Sequence, residues 1–419
     1  MKQSLVFKSL AVLGLALLTF QACKKEKTYE LQSLVAGGVD LNGATSAVGV
    51  DAKADVVATF SQAVDAASAT GTNITLVRDY DNATIATTIS VVDNAVTINP
   101  NEDLGSGTLY KLTFSGSVKY ADGAASVTTF SRTFTTAGTF APAGAVAHWT
   151  FEGNGEDVAG SYDASAVVSI NFDASRNANA GKAATFNGDN SIIEVPNGDK
   201  LMNTSDFTMS FWVKTNSDGH VNGDGNPAGH FVMGLAAFYG FQFEITADYS
   251  WCKLAARYDL GNNTTGSEDL WFPGNGQTYA NGGWQGWDFC KDLTNSGGVA
   301  GLLKDKWAHV VCVYNSSTRQ GIMYMNGEKM KSFDFDLWPD GDAKRGVTGL
   351  KYGGTAPETV NELAFGFIQS RSGQLWDTEP WGGYDFPTSN HFKGQLDDVR
   401  IYHKVLTDKE IELMYNSEK

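Results

Sequence analysis

Seven of the ten tryptophans in this 419-residue chain fall in two stretches rich in Gly, Asn, Asp and Gln, residues 239–289 and 333–384. They are Trp251, Trp271, Trp284, Trp287, Trp338, Trp376 and Trp381. The densest groups are Trp284-Gln285-Gly286-Trp287-Asp288 and Trp376-Asp377-Thr378-Glu379-Pro380-Trp381. A sugar ring needs an apolar face to stack on and hydrogen-bonding groups around its edge, and indoles flanked by amides and carboxylates offer both. Trp251, Trp271, Trp284, Trp287, Trp376 and Trp381 are therefore the candidate ligand contacts. Packing is the competing role for each one, because long insertions need large side chains to pin them to a domain.

Carboxylates form the second candidate set. Glu152 and Asp157 lie in a Gly-rich stretch that opens His148-Trp149-Thr150-Phe151, and Asp397 and Asp398 stand side by side near the C-terminus. Catalytic pairs are harder to find. A retaining glycosidase needs two carboxyl groups about 5–5.5 Å apart, which on one strand means a same-face spacing such as Glu-x-Asp-x-Glu. No such run occurs. Glu244 and Asp248 share a face but are four residues apart, and strand alternation sends Asp397 and Asp398 to opposite faces. Neither a His-Glu-x-x-His motif nor a Gly-x-Ser-x-Gly elbow is present. Catalysis is not expected, and no catalytic residue is assigned.

The elements that must carry these groups read as all-β. In the first part of the chain, short β-type runs recur at residues 55–61, 73–78, 85–92, 95–99, 108–115 and 128–135, with turn signals between them, as in a sandwich. Residues 138–144, GTFAPAG, are small and contain Pro142, which marks a linker. Beyond it, Phe207, Met209, Phe211 and Val213 alternate on one strand face, and residues 307–314 are apolar on both faces. Asn326-Gly327 is a strong hairpin signal, since both positions tolerate positive φ. Thr407 and Glu410 form a capping box, with Leu406 and Ile411 as a hydrophobic staple, for a terminal helix.

The other end reads as an export signal. Lys2 and Lys8 precede an apolar run at residues 10–20 that is too short to span a bilayer. Leu18-Thr19-Phe20-Gln21-Ala22 then leads to Cys23, a loose form of the junction at which a bacterial lipoprotein is cleaved and lipidated. The expected organisation is a signal at 1–22, a tether at 23–28 starting with lipidated Cys23, a first module at 29–137 and a second at 145–419. The expected location is the cell envelope, anchored to the outer membrane by lipid. Removing the signal takes the net charge from −16 to −18, because it holds two lysines and no acid. That balance disfavours nucleic acid and polyanionic glycans as partners. After Cys23, three cysteines remain: Cys312 in an apolar run, and Cys252 and Cys290, which either pair or stay free.

Two resemblances extend this reading. Val56-Val57-Ala58-Thr59-Phe60-Ser61, Gly71-Thr72-Asn73-Ile74-Thr75-Leu76, Thr97-Ile98-Asn99-Pro100, Tyr110-Lys111-Leu112-Thr113 and Phe134-Thr135-Thr136 make the first module similar to the bacterial Ig-like domains of surface-layer and cell-surface proteins. Such domains mostly act as spacers. Ala184-Thr185-Phe186-Asn187-Gly188, the Phe207–Val213 run, Lys306-Trp307-Ala308-His309, Tyr324-Met325-Asn326-Gly327-Glu328 and the segment from His391 to Tyr415 make the second module resemble laminin-G-like, concanavalin A-like jelly rolls. That resemblance implies first and last strands side by side, sugar or protein partners, and often a structural calcium ion. Glu152, Asp157, Asp397 and Asp398 would then gather around calcium, which takes six to eight hard oxygens. Alternatively, Asp398 simply pairs with Arg400 and Glu152 is solvated. The implied function is non-catalytic carbohydrate binding, with a polysaccharide or glycan as partner. Adhesion to an outer-membrane protein and an atypical glycosidase are the alternatives.

Overall fold

The computed structural model describes residues 27–419, so the signal and Cys23 lie outside the described residues. No described helix is long and apolar enough to cross a membrane. The fold is nearly all-β, built as an Ig-like sandwich followed by a jelly-roll-like sandwich.

The first sandwich packs two five-stranded sheets. One has the order Val39–Asp40, Leu31–Ala36, Val56–Phe60, Ala95–Pro100, Thr87–Val92; the other runs Ala47–Val50, Phe130–Thr136, Leu109–Phe114, Ile74–Arg78, Thr84–Ile85. Alternation decides what lies between them. Val56, Ala58 and Phe60 from one strand, and Tyr110, Leu112 and Phe114 from another, are buried, while their odd neighbours are at least partly open to solvent.

The second sandwich pairs a nine-stranded sheet with an eight-stranded one. In the nine-stranded sheet, Phe207–Thr215 lies between Lys393–Tyr402 and Trp307–Asn315. Phe207, Met209, Phe211 and Val213 all enter the core between the sheets, and residues 308–313 are buried on both faces, as alternation requires. Asn326 and Gly327 take φ of 52° and 78° and close the expected hairpin. The opening strand, Ala145–Trp149, pairs antiparallel with the closing one, placing Trp149 opposite Val399 and His148 opposite Arg400.

Residues 239–289 are not loop insertions. They build much of the other sheet, as Phe241–Ile245, Cys252–Asp259 and Thr265–Phe272, in sequential antiparallel order after His230–Leu235. Their cores alternate with polar positions, and the hydrophilic half of that alternation is what made them read as loops.

The terminal helix, Asp408–Glu418, begins with both halves of the capping box: Glu410 N–H donates to Thr407 Oγ1, and Thr407 N–H donates to Glu410 Oε2. Leu406, Ile411 and Met414 bury against Val311, Val313, Tyr324 and Tyr402 on the outer face of the nine-stranded sheet. The first module touches the same cluster. Tyr80 stacks edge-on to Phe140 and donates its hydroxyl proton to Glu410 Oε1 at 3.2 Å, while the Phe140 N–H donates to Ser417 Oγ at 2.6 Å.

Candidate functional site

Because side chains alternate along a strand, Gln242 and Glu244, Lys253 and Ala255, and Ser267, Asp269 and Trp271 all leave the outer face of the eight-stranded sheet. Register then sets who meets whom. Glu244 pairs with Lys253 and Lys253 with Trp271 on one rung; Gln242, Ala255 and Asp269 occupy the next. The Lys253 ammonium lies 3.1 Å from Glu244 Oε1 and 2.9 Å from Asp269 Oδ2, so the two carboxylates meet across it. Burial lifts the Glu244 carboxyl above the usual range, with Lys253 pulling it back. Burial acts on Lys253 in the opposite sense, but Glu244 and Asp269 outweigh it and hold the ammonium above its ordinary value. Gln242 donates to Glu244 Oε2 at 3.1 Å, and its own amide oxygen is buried without a partner.

One basin opens over this face and a second at its edge strand, Thr265–Phe272. One, of about 560 Å³, has Phe231, Phe238, Trp251, Trp376 and Trp381 as its aromatic walls and Gln242, Glu244, Lys253 and Asp269 among its polar groups. The other, of about 480 Å³, is lined by Trp271, Trp284, Trp287, Ser267, Glu268, Asp269 and Lys344. They share Ser267 and Asp269. The six tryptophans singled out from the sequence are divided between them, Trp251, Trp376 and Trp381 on the first and Trp271, Trp284 and Trp287 on the second. Trp376 and Trp381 pack with ring centroids 4.9 Å apart, Trp251 meets Trp271 edge-on at 5.7 Å, and Trp271 meets Trp287 at 5.3 Å.

The rings differ in how firmly they are held. Trp284 and Trp381 are 61% and 42% exposed, so their faces are open to a ligand. Trp287 is buried, and the Lys331 ammonium sits 3.6 Å from its ring centroid, a desolvated cation–π contact. Burial pushes Lys331 down to about 8. Trp338 is different again: it stacks in the core on Phe333 and Phe335, so packing is its role. Glu244, Lys253, Asp269, Gln242, Glu268 and Lys344 were not found as a group from the sequence. Their signal was partial: Gln242 and Glu244 alternate with Phe241, Phe243 and Ile245, and Lys253 stands between Cys252 and Leu254, whereas Glu268 and Asp269 are adjacent and Lys344 lies in a short 3-10 turn.

The four carboxylates assigned to calcium form no shared cluster: Asp157 bridges the opening strand at Trp149, Asp397 and Asp398 lie on the closing strand that pairs with it, and Glu152 follows the opening strand. Their oxygens are already taken. Asp157 accepts four backbone N–H bonds, from His148, Ala159, Ser161 and Tyr162, at 2.8–3.1 Å. Glu152 accepts from the Lys182 N–H at 3.1 and 3.2 Å. Asp397 accepts from Ser175 Oγ and Arg176 Nη1; Asp398 accepts from Arg176 Nη2 at 2.6 Å and Arg400 Nη2 at 2.9 Å, and meets His148 Nε2 at 2.9 Å. No group of three or more His, Cys, Asp or Glu side chains with metal-holding geometry exists among the described residues. A divalent cation there would face two buried guanidiniums, so this donor set does not fit calcium.

Asp397 and Asp398 also depart from strand alternation. A bulge, in which the register shifts between Ser210 and Trp212 and Asp398 takes φ of 46°, turns both carboxylates toward Arg176. The helix end completes the cluster. Glu418 contacts Arg400 Nη1 at 2.8 Å and accepts from Trp212 Nε1 at 2.7 Å, and its carbonyl accepts from Arg176 Nε at 2.9 Å. The Arg176 guanidinium lies 4.7 Å from the Trp212 ring centroid. Burial and the adjacent Asp398 push the Asp397 carboxyl up. Burial works against Asp398 too, but Arg400, His148 and Arg176 hold it far below the carboxylate range. Cys252, Cys290 and Cys312 are all buried free thiols, so Cys252 and Cys290 do not pair.

Residues 39–136 match the family described as Bacterial Ig-like domain. No curated protein matches the chain. Among solved structures, the chain is similar to the botulinum neurotoxin type G receptor binding domain, with a TM-score of 0.37, 13% identity, and coverage of 65% of this chain and 51% of that one. It is similar to the serotype D ligand binding domain in complex with N-acetylneuraminic acid, at TM-score 0.38 and 15% identity, covering 65% of this chain and 50% of that one. Domain 4 of AbnA, an extracellular arabinanase from Geobacillus stearothermophilus, in complex with arabinotriose, gives TM-score 0.37 and 17% identity, over 65% of this chain and 98% of that domain. The chain thus spans about half the length of the two toxin domains. At these TM-scores the likenesses say nothing about a ligand.

Proposed function

We propose that this chain is a cell-envelope lipoprotein, anchored to the outer membrane through Cys23, whose C-terminal sandwich binds carbohydrate without altering it. The Ig-like domain is its spacer. One observation carries the binding reading: six tryptophans, drawn from segments far apart in sequence, line two adjoining basins edged by carboxylates, an amide and ammoniums. Packing alone does not call for Trp284 and Trp381 to stand 61% and 42% exposed over polar groups. The anchor rests on the sequence of residues 1–23.

A glycosidase reading has one observation behind it, the approach of Glu244 and Asp269 across Lys253. The ammonium between them opposes it, because Lys253 favours the charged form of Glu244 against the burial that raises its carboxyl, and so works against proton donation to a glycosidic oxygen. Binding of the intact chain to a glycan array tests the proposal. We expect hits that Trp284→Ala with Trp376→Ala abolishes, and no reducing-sugar release from those glycans. An array without hits, or hits indifferent to both substitutions, removes carbohydrate binding at this groove.

A further inference from the structure

We infer that the groove takes one uncharged oligosaccharide, lying across the strands and filling both basins; this deepens the carbohydrate reading above and rests on it. Continuity is the first argument. The basins share Ser267 and Asp269, and each, at about 560 and 480 Å³, already has the volume of a small-ligand pocket. The lining passes from Phe231 through Glu244 and Lys253 to Trp271, one residue on each of four neighbouring strands. Strands lie about 4.8 Å apart, so this path alone covers roughly 14 Å. Trp381 adds an exposed ring to the first basin and Trp284 one to the second. A single sugar would leave one basin empty.

Charge is the second argument. Three carboxylates face the groove, Glu244, Glu268 and Asp269, against two ammoniums, Lys253 and Lys344. Both ammoniums are already engaged: Lys253 with Glu244 and Asp269, Lys344 with Glu268. A uronate or sulfate would find no free cation among the lining residues and would meet surplus negative charge. Hydroxyls suit the groove better. The buried Gln242 Oε1 lacks a donor and the buried Trp271 Nε1 lacks an acceptor, one in each basin, and a hydroxyl can act as either.

Isothermal titration calorimetry on the intact chain tests this, with neutral gluco-, xylo- and manno-oligosaccharides from disaccharide to hexasaccharide and oligogalacturonates of the same lengths. Affinity for one neutral series should climb with length until both basins are filled, with the acidic series about tenfold weaker or more. Trp284→Ala and Trp381→Ala alter exposed rings in different basins, and each should weaken the hexasaccharide about tenfold and flatten the dependence on length. Length-independent affinity, or oligogalacturonate binding as tightly as the neutral chains, overturns the inference while leaving carbohydrate binding standing. If neither series nor any array glycan binds, the carbohydrate reading itself fails and takes the inference with it.

Discussion

Arg176→Ala should destabilise the C-terminal module by about 3–5 kcal/mol, the usual cost of removing one partner from a buried ion pair. Arg176 has only 5% of its side chain exposed, and it serves Asp397, Asp398 and the Glu418 carbonyl at once. Without it, Asp397 keeps Ser175 Oγ and the Asp398 N–H as donors, and Asp398 keeps Arg400 and His148. Asp398 and Glu418 would then share the single guanidinium of Arg400, and Asp397 would be left with uncharged donors alone. The Trp212 ring would also lose its cation, and the last turn of the terminal helix one of its ties.

In a module of this size each kcal/mol moves the melting temperature by roughly 2 °C, so differential scanning calorimetry should record a fall of about 6–10 °C. Arg176→Lys keeps a charge but loses the planar fork, and should fall between the variant and the wild type. The same experiment decides the calcium question. If the arginines already neutralise the acidic corner, EDTA and added calcium should leave the wild-type melt where it is. A wild-type melt that drops with EDTA, or an Arg176→Ala shift below about 2 °C, would refute the reasoning.

Lys253→Met leaves Glu244 and Asp269 unpaired in the groove. We expect a loss of roughly 1–3 kcal/mol in chemical denaturation, less than at Arg176, because Asp269 is 43% exposed and water can replace the ammonium. The Asp397 carboxyl, buried beside Asp398, is pushed up to about 7. Its protonated form is therefore favoured by folding, and that contribution is fully present below the ordinary carboxylate value of 3.8 and is lost as pH rises from there through about 7. Asp397→Asn cannot titrate, so its melting temperature relative to wild type should improve between about pH 4 and pH 7 and level off above that; an unchanging difference would contradict the assignment. Burial pushes the Cys252 and Cys312 thiols up, and Cys290 is buried as well. A thiol-reactive disulfide reagent should then leave all three unmodified in the native protein and modify all three in denaturant.

What the sequence made legible follows from how local each signal is. The Phe207–Val213 alternation, the Asn326-Gly327 turn and the Thr407–Glu410 capping box each depend on neighbours a few residues away, and each formed as read. The tryptophans divide: Trp284 and Trp381 stand exposed, whereas Trp287 and Trp338 join the core although they too lie in stretches rich in glycine and polar residues. Glu244, Lys253 and Asp269 are individually ordinary, and only the registry of three strands brings them together. Asp397 and Asp398 failed in the opposite way. Alternation was the right rule for a regular strand, but one bulged residue at positive φ swings both carboxylates to the same side. That swing puts them on Arg176, a residue from a loop more than 200 positions earlier. The acidity that pointed to a metal was real; the protein supplies its own cations to neutralise it. The same economy governs the groove, where every ammonium on the lining is already held by a carboxylate. Under the proposed carbohydrate reading, recognition there falls to stacking and hydroxyl contacts, because the charges have been spent on one another.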